Sequence, residues 1–197
     1  MGYHRAGFEV VGVDDLPQKH YPFEFHQADA LEYCREHGAE FDVIHASPPC
    51  QRYSTLAHVC PKKGLEFPDL LPETRRALLA TGRPFVIENV VGAPMQCNLK
   101  LCGAMFGLRT YRHRLFESDI WMLQPMHPPH RVRVNQKKQR RKEHWNEGGF
   151  VSVVGDVGTY LWPEAMGIDW MTGDELCEAV PPAYTYYIGC RLMESLL

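Results

Sequence analysis

The chain has 197 residues, of which 45% are hydrophobic, and a formal net charge of −3. This size predicts one domain with a real hydrophobic core and room for a small appendage, and it excludes two large domains. No signal peptide is recognisable at the N-terminus, and no apolar run approaches the roughly 18 residues of a membrane span. We therefore expect a soluble cytoplasmic protein with no membrane partner.

Cysteine usage agrees with a reducing compartment. The seven cysteines are odd in number, scattered, and contain no CxxC pair: residues 34, 50, 60, 97, 102, 177 and 190. This pattern indicates neither a disulfide framework nor a zinc knuckle. The ten histidines form no ligand-spaced group beyond "HPPH" at 127–130, so no metal is expected and a metal enzyme is the weakest alternative.

The first part of the chain alternates between apolar runs and helical segments, which predicts an α/β fold with a mostly parallel sheet. Residues 8–15 are apolar on both faces and predict a buried strand. Residues 21–29 predict a short strand, and residues 30–38 predict a helix that ends at its glycine. Residues 41–47 predict the next strand.

The second part continues the pattern and then departs from it. Residues 72–82 predict a helix with proline in its first turn, residues 83–90 a strand, and residues 113–118 a later strand. Residues 125–150 have no apolar periodicity and are rich in Pro, His, Arg and Lys, which indicates an insertion. Residues 181–196 predict an amphipathic C-terminal helix.

Four chemically useful side chains lie at or just beyond the ends of predicted strands. Asp14, Asp29, Cys50 and Glu88 all fall at the carboxyl ends of strands, where open α/β sheets bind ligands. Each alone has a structural explanation, because acids often end strands and an isolated cysteine usually packs as a small hydrophobe. Their shared position favours a site.

Cys50 follows Pro48 and Pro49 directly. Each proline fixes its own φ and disfavours the helical conformation of the residue before it, so this loop is stiff. A stiff loop at a strand end suits a reactive thiolate, although a structural thiol remains the alternative.

The basic residues are concentrated at 131–142, "RVRVNQKKQRRK", which holds seven of the 21 Lys and Arg residues and no acid. Such a run is typical of a phosphate-binding patch or of a solvated, mobile loop.

The order of three motifs resembles the DNA (cytosine-5) methyltransferases: "PPCQ" at 48–51, "ENV" at 88–90 and "RHR" at 112–114. Residues 165–189 resemble the closing segment of the compact phage and prophage members. The resemblance implies a Rossmann-like methyltransferase sheet with a very small target-recognition insertion, acting on double-stranded DNA. We take the catalytic domain as residues 1–124, the insertion as 125–150 and the returning segment as 151–197.

The resemblance assigns a role to each motif. Cys50 is the thiolate that adds to C6 of cytosine and makes C5 nucleophilic, and Glu88 is the acid that stabilises N3. Arg112 and Arg114 correspond to the arginines that contact the cytosine O2 and order the site. A surface salt bridge is the structural alternative for this arginine pair.

The family uses S-adenosylmethionine as its methyl donor. The resemblance implies that Asp14 holds the ribose and Asp29 faces the adenine, with Asp15 beside them. Pro49, Glu178 and Val180 fall on the cofactor side, and Glu178 departs from the family's usual asparagine.

A duplex hides the target carbon, so this chemistry requires the cytosine to flip out of the stack. The resemblance places the basic run in the target-recognition region, where its cations are expected to contact phosphates. These DNA-binding candidates are Arg131, Arg133, Lys137, Lys138, Arg140, Arg141 and Lys142.

The family's first motif, a strand with a glycine-rich "FxGxG" turn, is absent from the sequence. Residues 1–7 resemble the end of the helix that follows this turn, capped by Gly7. In the family's sheet the absent strand lies between the strands predicted at 9–14 and 41–47, which leaves backbone groups unpaired there. We expect this strand upstream of Met1; a decayed remnant or a partner's strand are the alternatives.

Two further functions stay open from the sequence. A catalytically inactive DNA-binding remnant predicts DNA affinity without methyl transfer. An RNA cytosine-C5 methyltransferase keeps the chemistry and changes the substrate. The recognition sequence, a restriction partner and the oligomeric state, a monomer included, are also left open.

Overall fold

The computed structural model describes residues 1–54, 67–134, 141–154 and 159–196. These residues contain six strands: β1 (Val11–Asp14), β2 (Glu24–Gln27), β3 (Ile44–Ala46), β4 (Phe85–Asn89), β5 (Leu99–Leu101) and β6 (Arg114–Ser118). They also contain seven helices: α1 (Gly2–Arg5), α2 (Ala30–His37), α3 (Leu71–Thr81), α4 (Arg141–Asn146), α5 (Trp162–Met166), α6 (Gly173–Glu178) and α7 (Pro182–Leu196). The predicted α/β class is confirmed at this level.

The chain forms two compact units. The sheet unit comprises residues 11–100 and 114–124, and the helical unit comprises residues 1–10, 101–113 and 125–197. The division of the sequence into functional domains at residues 124 and 150 stays a prediction.

Two separate sheets occur in the described residues. β1 and β2 form a parallel pair, with Val11 opposite Glu24 and Asp14 opposite Gln27. The other sheet has the order β3-β4-β6-β5, in which β3 is parallel to β4 and β4 is antiparallel to β6. The sheet is therefore mixed.

The first strand differs from its prediction. It spans only Val11–Asp14 and its residues are half-buried, whereas the sequence predicted a buried strand over 8–15. The reason is its neighbourhood, because in the described part of the chain β1 pairs with β2 alone. A two-stranded sheet covers the side chains of its strands only in part.

α2 ends as predicted, but for a different reason. Gly38 keeps helical dihedral angles and continues into a 3₁₀ turn, rather than adopting the left-handed conformation of many glycine caps. A Cβ atom at Gly38 would lie 2.6 Å from Cγ2 of Thr81, so the glycine permits close packing against α3.

The core of the sheet unit lies between α3 and the sheet. Its buried members are Leu71, Leu78, Phe85, Ile87 and Ala93. α3 begins with a proline in its first turn and ends at Gly82, which has the left-handed conformation that suits glycine. Both ends of this helix are as predicted.

In the helical unit, α1 packs against α7. A Cβ atom at Gly2 would lie 2.0 Å from Oγ1 of Thr185, so only glycine permits this approach. Gly7 follows α1 with a φ of 105°, and its amide donates to the carbonyl of His4 at 3.0 Å. The predicted helix end before Gly7 and the predicted C-terminal helix are both confirmed.

The segment 125–150 is more structured than predicted. It contains α4 and a bridge between Val134 and Phe150. Trp145 of α4 is buried in a cluster with Val151, Leu161 and Trp162. One tryptophan among charged residues gives no periodicity, so the sequence pattern missed this packing.

None of the helices in the described ranges combines the length and the apolar character needed to cross a membrane.

Candidate active site

Cys50 lies in the loop that follows β3. The thiol is half-buried, and the 3₁₀ turn Gln51–Tyr53 begins directly after it. The amides of Tyr53 and Ser54 donate to the carbonyl of Cys50 at 2.9 and 3.0 Å. These bonds hold the backbone of Cys50 in the loop after the strand.

Tyr53 fixes the turn at its other end, because its hydroxyl donates to a carboxylate oxygen of Asp69. Burial and the hydrogen bond to Asp69 raise the pKa of Tyr53 to about 12. The phenol therefore stays protonated and keeps donating near neutral pH.

Glu88 lies in β4, in which all five residues are buried. β3 runs parallel to β4 with Ala46 opposite Ile87. The carboxyl ends of parallel neighbours meet at the same edge of a sheet, so the Cys50 loop and Glu88 share that edge.

Asn89 links the two motifs directly. Its Nδ2 donates to the carbonyl of Pro48 at 2.9 Å, and its Oδ1 accepts from the amide of Val90 at 2.9 Å. The "ENV" segment therefore holds the "PPC" loop in place. The motif analysis assigned no role to Asn89, and its adjacency to Glu88 was the available signal.

Arg114 is the cation beside Glu88. Its Nε lies 2.8 Å from Oε1 of Glu88, and the two side chains are only 15% and 8% exposed. β4 and β6 are antiparallel, with Glu88 opposite Phe116. Removing either charge would break this ion pair in a buried site, which is costly.

Arg112 belongs to the helical unit and binds backbone there. Its guanidinium group donates to the carbonyls of Ala179, Val153 and Cys177 at 3.0, 2.9 and 2.5 Å. Among the described residues it is the non-glycine residue with a positive φ, 24°. The hydroxyl of Tyr184 donates to its carbonyl at 2.9 Å. These contacts give Arg112 an ordering role within its unit.

The candidate cofactor acids lie at the ends of β1 and β2. Oδ1 of Asp14 accepts from the amide of Leu16 at 2.8 Å. Asp29 caps α2, because its Oδ1 accepts from the amides of Leu31 and Glu32 at 2.9 Å. Because β1 and β2 are parallel, both acids lie at one edge of this sheet. Asp15 is exposed beside them.

The remaining cofactor candidates are divided between the units. Pro49 is exposed next to Cys50 in the sheet unit. Glu178 is exposed at the end of α6 and Val180 is half-buried, and both belong to the helical unit. Arg112 binds the carbonyls on either side of Glu178, so it fixes this turn.

The basic run is described in part. Arg131, Arg133 and Lys142 are exposed. Lys137, Lys138 and Arg140 lie outside the described residues, as does the side chain of Arg141. Exposure of the described cations is what a phosphate-binding surface requires.

His45 is a titratable group in β3, near the candidate nucleophile in sequence. Burial lowers the pKa of His45 to about 4. Its Nε2 lies 3.2 Å from Oγ of Ser47, and its ring meets Phe116 edge to face. The imidazole is therefore neutral near neutral pH.

The structure brings together one cluster of cysteine and histidine side chains that the sequence did not predict. Cys102, His113, His127 and His130 each offer a ligand-type atom, and these atoms lie within 4.8 Å of one another. "HPPH" supplied the only local signal for this cluster, because Cys102 and His113 are distant in sequence.

Comparisons of the chain with models of protein families, with curated proteins and with solved structures find no match.

Proposed function

We propose that the chain is a DNA (cytosine-5) methyltransferase in which Cys50 is the nucleophile. The observation that carries this proposal is the junction of two motifs. The Pro48-Pro49-Cys50 loop accepts a hydrogen bond from Asn89, next to the buried pair of Glu88 and Arg114. A thiol and a carboxyl group at one sheet edge are the two groups that the reaction requires.

Each residue then has a definite task. The Cys50 thiolate forms a bond to C6 of cytosine, and the electron density displaced toward N3 is stabilised by Glu88. C5 becomes nucleophilic and would take the methyl group from the sulfonium centre of S-adenosylmethionine, which leaves as a neutral thioether. A water molecule would then accept the C5 proton, and elimination of the Cys50 thiolate restores the ring. Arg114 holds Glu88 in its buried position, and Arg112 orders the turn around Glu178.

The acids of the sheet unit fit the chemistry of S-adenosylmethionine. Asp14 and Asp29 are hydrogen-bond acceptors at one edge of the β1-β2 sheet, and such acids bind ribose and adenine groups. Both use Oδ1 in local hydrogen bonds, which fixes their orientation. When bound, the cofactor supplies an electrophilic methyl group.

The strand orders support a Rossmann-like methyltransferase sheet with one strand absent. Among the described strands, β1 and β3 pair with β2 and β4 and not with each other. A central strand between β1 and β3 would join the two sheets into one. We propose that the glycine-rich motif of the family provides this strand.

Double-stranded DNA is the proposed substrate, in the cytoplasm of a bacterial host. Arg131, Arg133 and Lys142 offer exposed cations for phosphate contacts. The insertion is short, so recognition is expected to rest on few base contacts and on DNA shape.

The test is transfer of labelled methyl from S-adenosylmethionine to unmethylated duplex DNA and to structured RNA. It uses this chain and a version extended by a glycine-rich strand at its N-terminus. We expect transfer to DNA that Cys50→Ala abolishes. Cys97→Ser is the matched control, because Cys97 is exposed and its thiol donates to the nearby carbonyl of Leu99.

Methyl transfer to RNA but not to DNA would show that the substrate is RNA. DNA binding by folded protein without transfer to either substrate would contradict the enzyme and favour an inactive DNA-binding remnant.

A further inference from the structure

We propose that Cys102, His113, His127 and His130 form a zinc site in the helical unit. This inference is independent of the proposed methyl transfer. Sγ of Cys102 lies 3.4 Å from Nε2 of His130, and Nε2 of His113 lies 3.1 Å from Nε2 of His127. One ligand-type atom from each residue lies within 4.8 Å of all the others.

These separations are close to those of a tetrahedral zinc ion. Zn–N bonds of about 2.0 Å and a Zn–S bond of about 2.3 Å place neighbouring nitrogens about 3.3 Å apart and sulfur about 3.5 Å from nitrogen. The two short contacts, 3.1 and 3.4 Å, agree with this geometry. The other separations are at most 4.8 Å and require a contraction of up to about 1.5 Å when the ion binds.

The three imidazole rings lie close to one another. Their centroids are 5.3 Å apart for His113 and His127, 5.0 Å for His113 and His130, and 4.8 Å for His127 and His130. Cys102 is fully buried beneath them, whereas His130 is exposed. A cysteine that only packs as a small hydrophobic residue does not need three histidines beside it.

The kind of ligand selects the metal. One thiolate and three imidazoles form a borderline-soft set that zinc prefers, and the set contains no carboxylate for Mg²⁺ or Ca²⁺. Four protein ligands close the coordination sphere, which is typical of a structural zinc site. The ion would therefore hold chain segments together and not activate water.

Tyr111 supports the arrangement from outside. Its ring stacks on His130 with a centroid distance of 3.6 Å and an interplanar angle of 17°. Its hydroxyl donates to the carbonyl of Val132 at 2.6 Å and accepts from the amide of Val132 at 3.2 Å. Groups behind metal ligands fix the orientation of the imidazole rings.

The site would connect three parts of the chain. Cys102 directly follows β5, His113 lies between Arg112 and Arg114 in sequence, and His127 and His130 precede the basic run. Zinc binding would fix the start of the basic run to the loop that carries the arginine motif. Metal binding of this kind stabilises the folded state of its ligands.

The first experiment measures metal content and cobalt spectra of the full chain. Protein produced with zinc available is expected to retain one zinc per chain after gel filtration. Replacement by Co²⁺ is expected to give the intense visible bands of tetrahedral cobalt and a thiolate-to-cobalt charge-transfer band. Cys102→Ser should lose the charge-transfer band, whereas Cys97→Ser should keep it.

A second variant keeps the test informative if Cys102→Ser fails to fold. His130 is exposed, so His130→Ala is expected to fold and to weaken zinc affinity by more than the roughly 10-fold to 100-fold loss that supporting groups give. His37→Ala, in α2 of the sheet unit, should bind zinc like the wild type. Chelator competition measures these affinities.

Absence of zinc and of a cobalt spectrum in the folded wild-type chain would overturn the proposal. So would a charge-transfer band that survives in folded Cys102→Ser. Either result would leave the cluster as a hydrogen-bonded group without a metal.

Discussion

Glu88 is a buried carboxylate whose charge is balanced by one neighbouring arginine. A carboxylate in a strand whose five residues are all buried needs a compensating cation, and Nε of Arg114 lies 2.8 Å away. The same strand ends in Asn89, which binds the carbonyl of Pro48. The carboxyl group and the thiol-bearing loop are thus held by neighbouring residues of one strand.

Glu88→Gln is expected to lower methyl transfer by at least about 100-fold, because an amide cannot supply the proton or charge that N3 requires. The rate of labelled methyl transfer is measured at saturating cofactor. Glu117→Gln is the matched control, since Glu117 is also buried and paired with an arginine. Equal losses of activity in both folded variants would show that Glu88 has no specific role in methyl transfer.

His45 predicts a loss of stability in acid. Its pKa is about 4 in the folded chain and about 6.5 when unfolded, so between these values the unfolded chain binds the extra proton. The contribution of His45 to the free energy of unfolding is fully present above about pH 6.5 and falls as the pH drops toward 4. Between pH 7 and pH 5 the fall is about 2 kcal/mol.

Urea unfolding at these two pH values measures this effect. His45→Gln should show a smaller fall than the wild type. A fall of the same size in His45→Gln would contradict the role of His45.

At the scale of elements, Glu117 joins α3 to β6. Nε and Nη2 of Arg75 donate to its two carboxylate oxygens at 2.5 and 2.7 Å, and the amide of Gln96 donates at 2.8 Å. Burial would raise the pKa of Glu117, but the hydrogen bonds from Arg75 and Gln96 outweigh it and lower the pKa. The carboxylate therefore stays charged.

Arg75→Met is expected to lower the free energy of unfolding by about 3 kcal/mol, because it leaves Glu117 charged and buried. Arg35→Met is the matched control. Arg35 also contacts a glutamate, Glu73 at 2.6 Å, but both of these side chains are exposed, so the expected loss is below about 1 kcal/mol. Equal losses, measured by urea unfolding, would show that burial does not set the strength of these pairs.

The elements that the sequence predicted best are those whose signals are local. α3 has a proline at its start and Gly82 after its end, and α7 begins at Pro182, directly after Pro181. α4 was missed because Trp145 alone marks its buried face. The half-burial of β1 depends on which strands lie beside it, and a single sequence does not specify this.

The positions of the candidate site residues were predictable to the same extent, whereas their roles stay predictions. Cys50 follows one predicted strand, Glu88 lies near the end of another, and both lie at one edge of the β3-β4 pair. The link from Asn89 to Pro48 and the contacts of Arg112 with three carbonyls depend on tertiary structure. The cluster of Cys102 with three histidines likewise joins residues that are up to 28 positions apart.

At the scale of the whole molecule, charge is unevenly distributed. The net charge is −3, yet residues 131–142 carry seven cations and no acid. A uniformly acidic surface would repel DNA, whereas a concentrated basic run can bind phosphates despite the overall charge.

DNA affinity is therefore expected to fall steeply with salt. Replacing Arg131, Arg133 and Lys142 together by Gln should reduce the slope of log K against log salt by about 2 to 3, since each phosphate contact contributes about 0.9. Fluorescence anisotropy with duplex DNA measures this slope. The same replacement at Arg5, Lys19 and Lys100, which are also exposed, should leave it unchanged. An unchanged slope in the first variant would show that these three cations do not contact DNA.

Duplex DNA containing 5-fluorocytosine tests the proposed attack of Cys50 on C6 of cytosine. Fluorine replaces the C5 hydrogen that must leave, so the thiolate cannot be released after methyl transfer. With S-adenosylmethionine present, we predict a denaturant-resistant protein–DNA complex in which the modified peptide contains Cys50, and no complex with Cys50→Ala. A folded, DNA-binding protein that forms no complex, or a complex that persists in Cys50→Ala, would contradict the account.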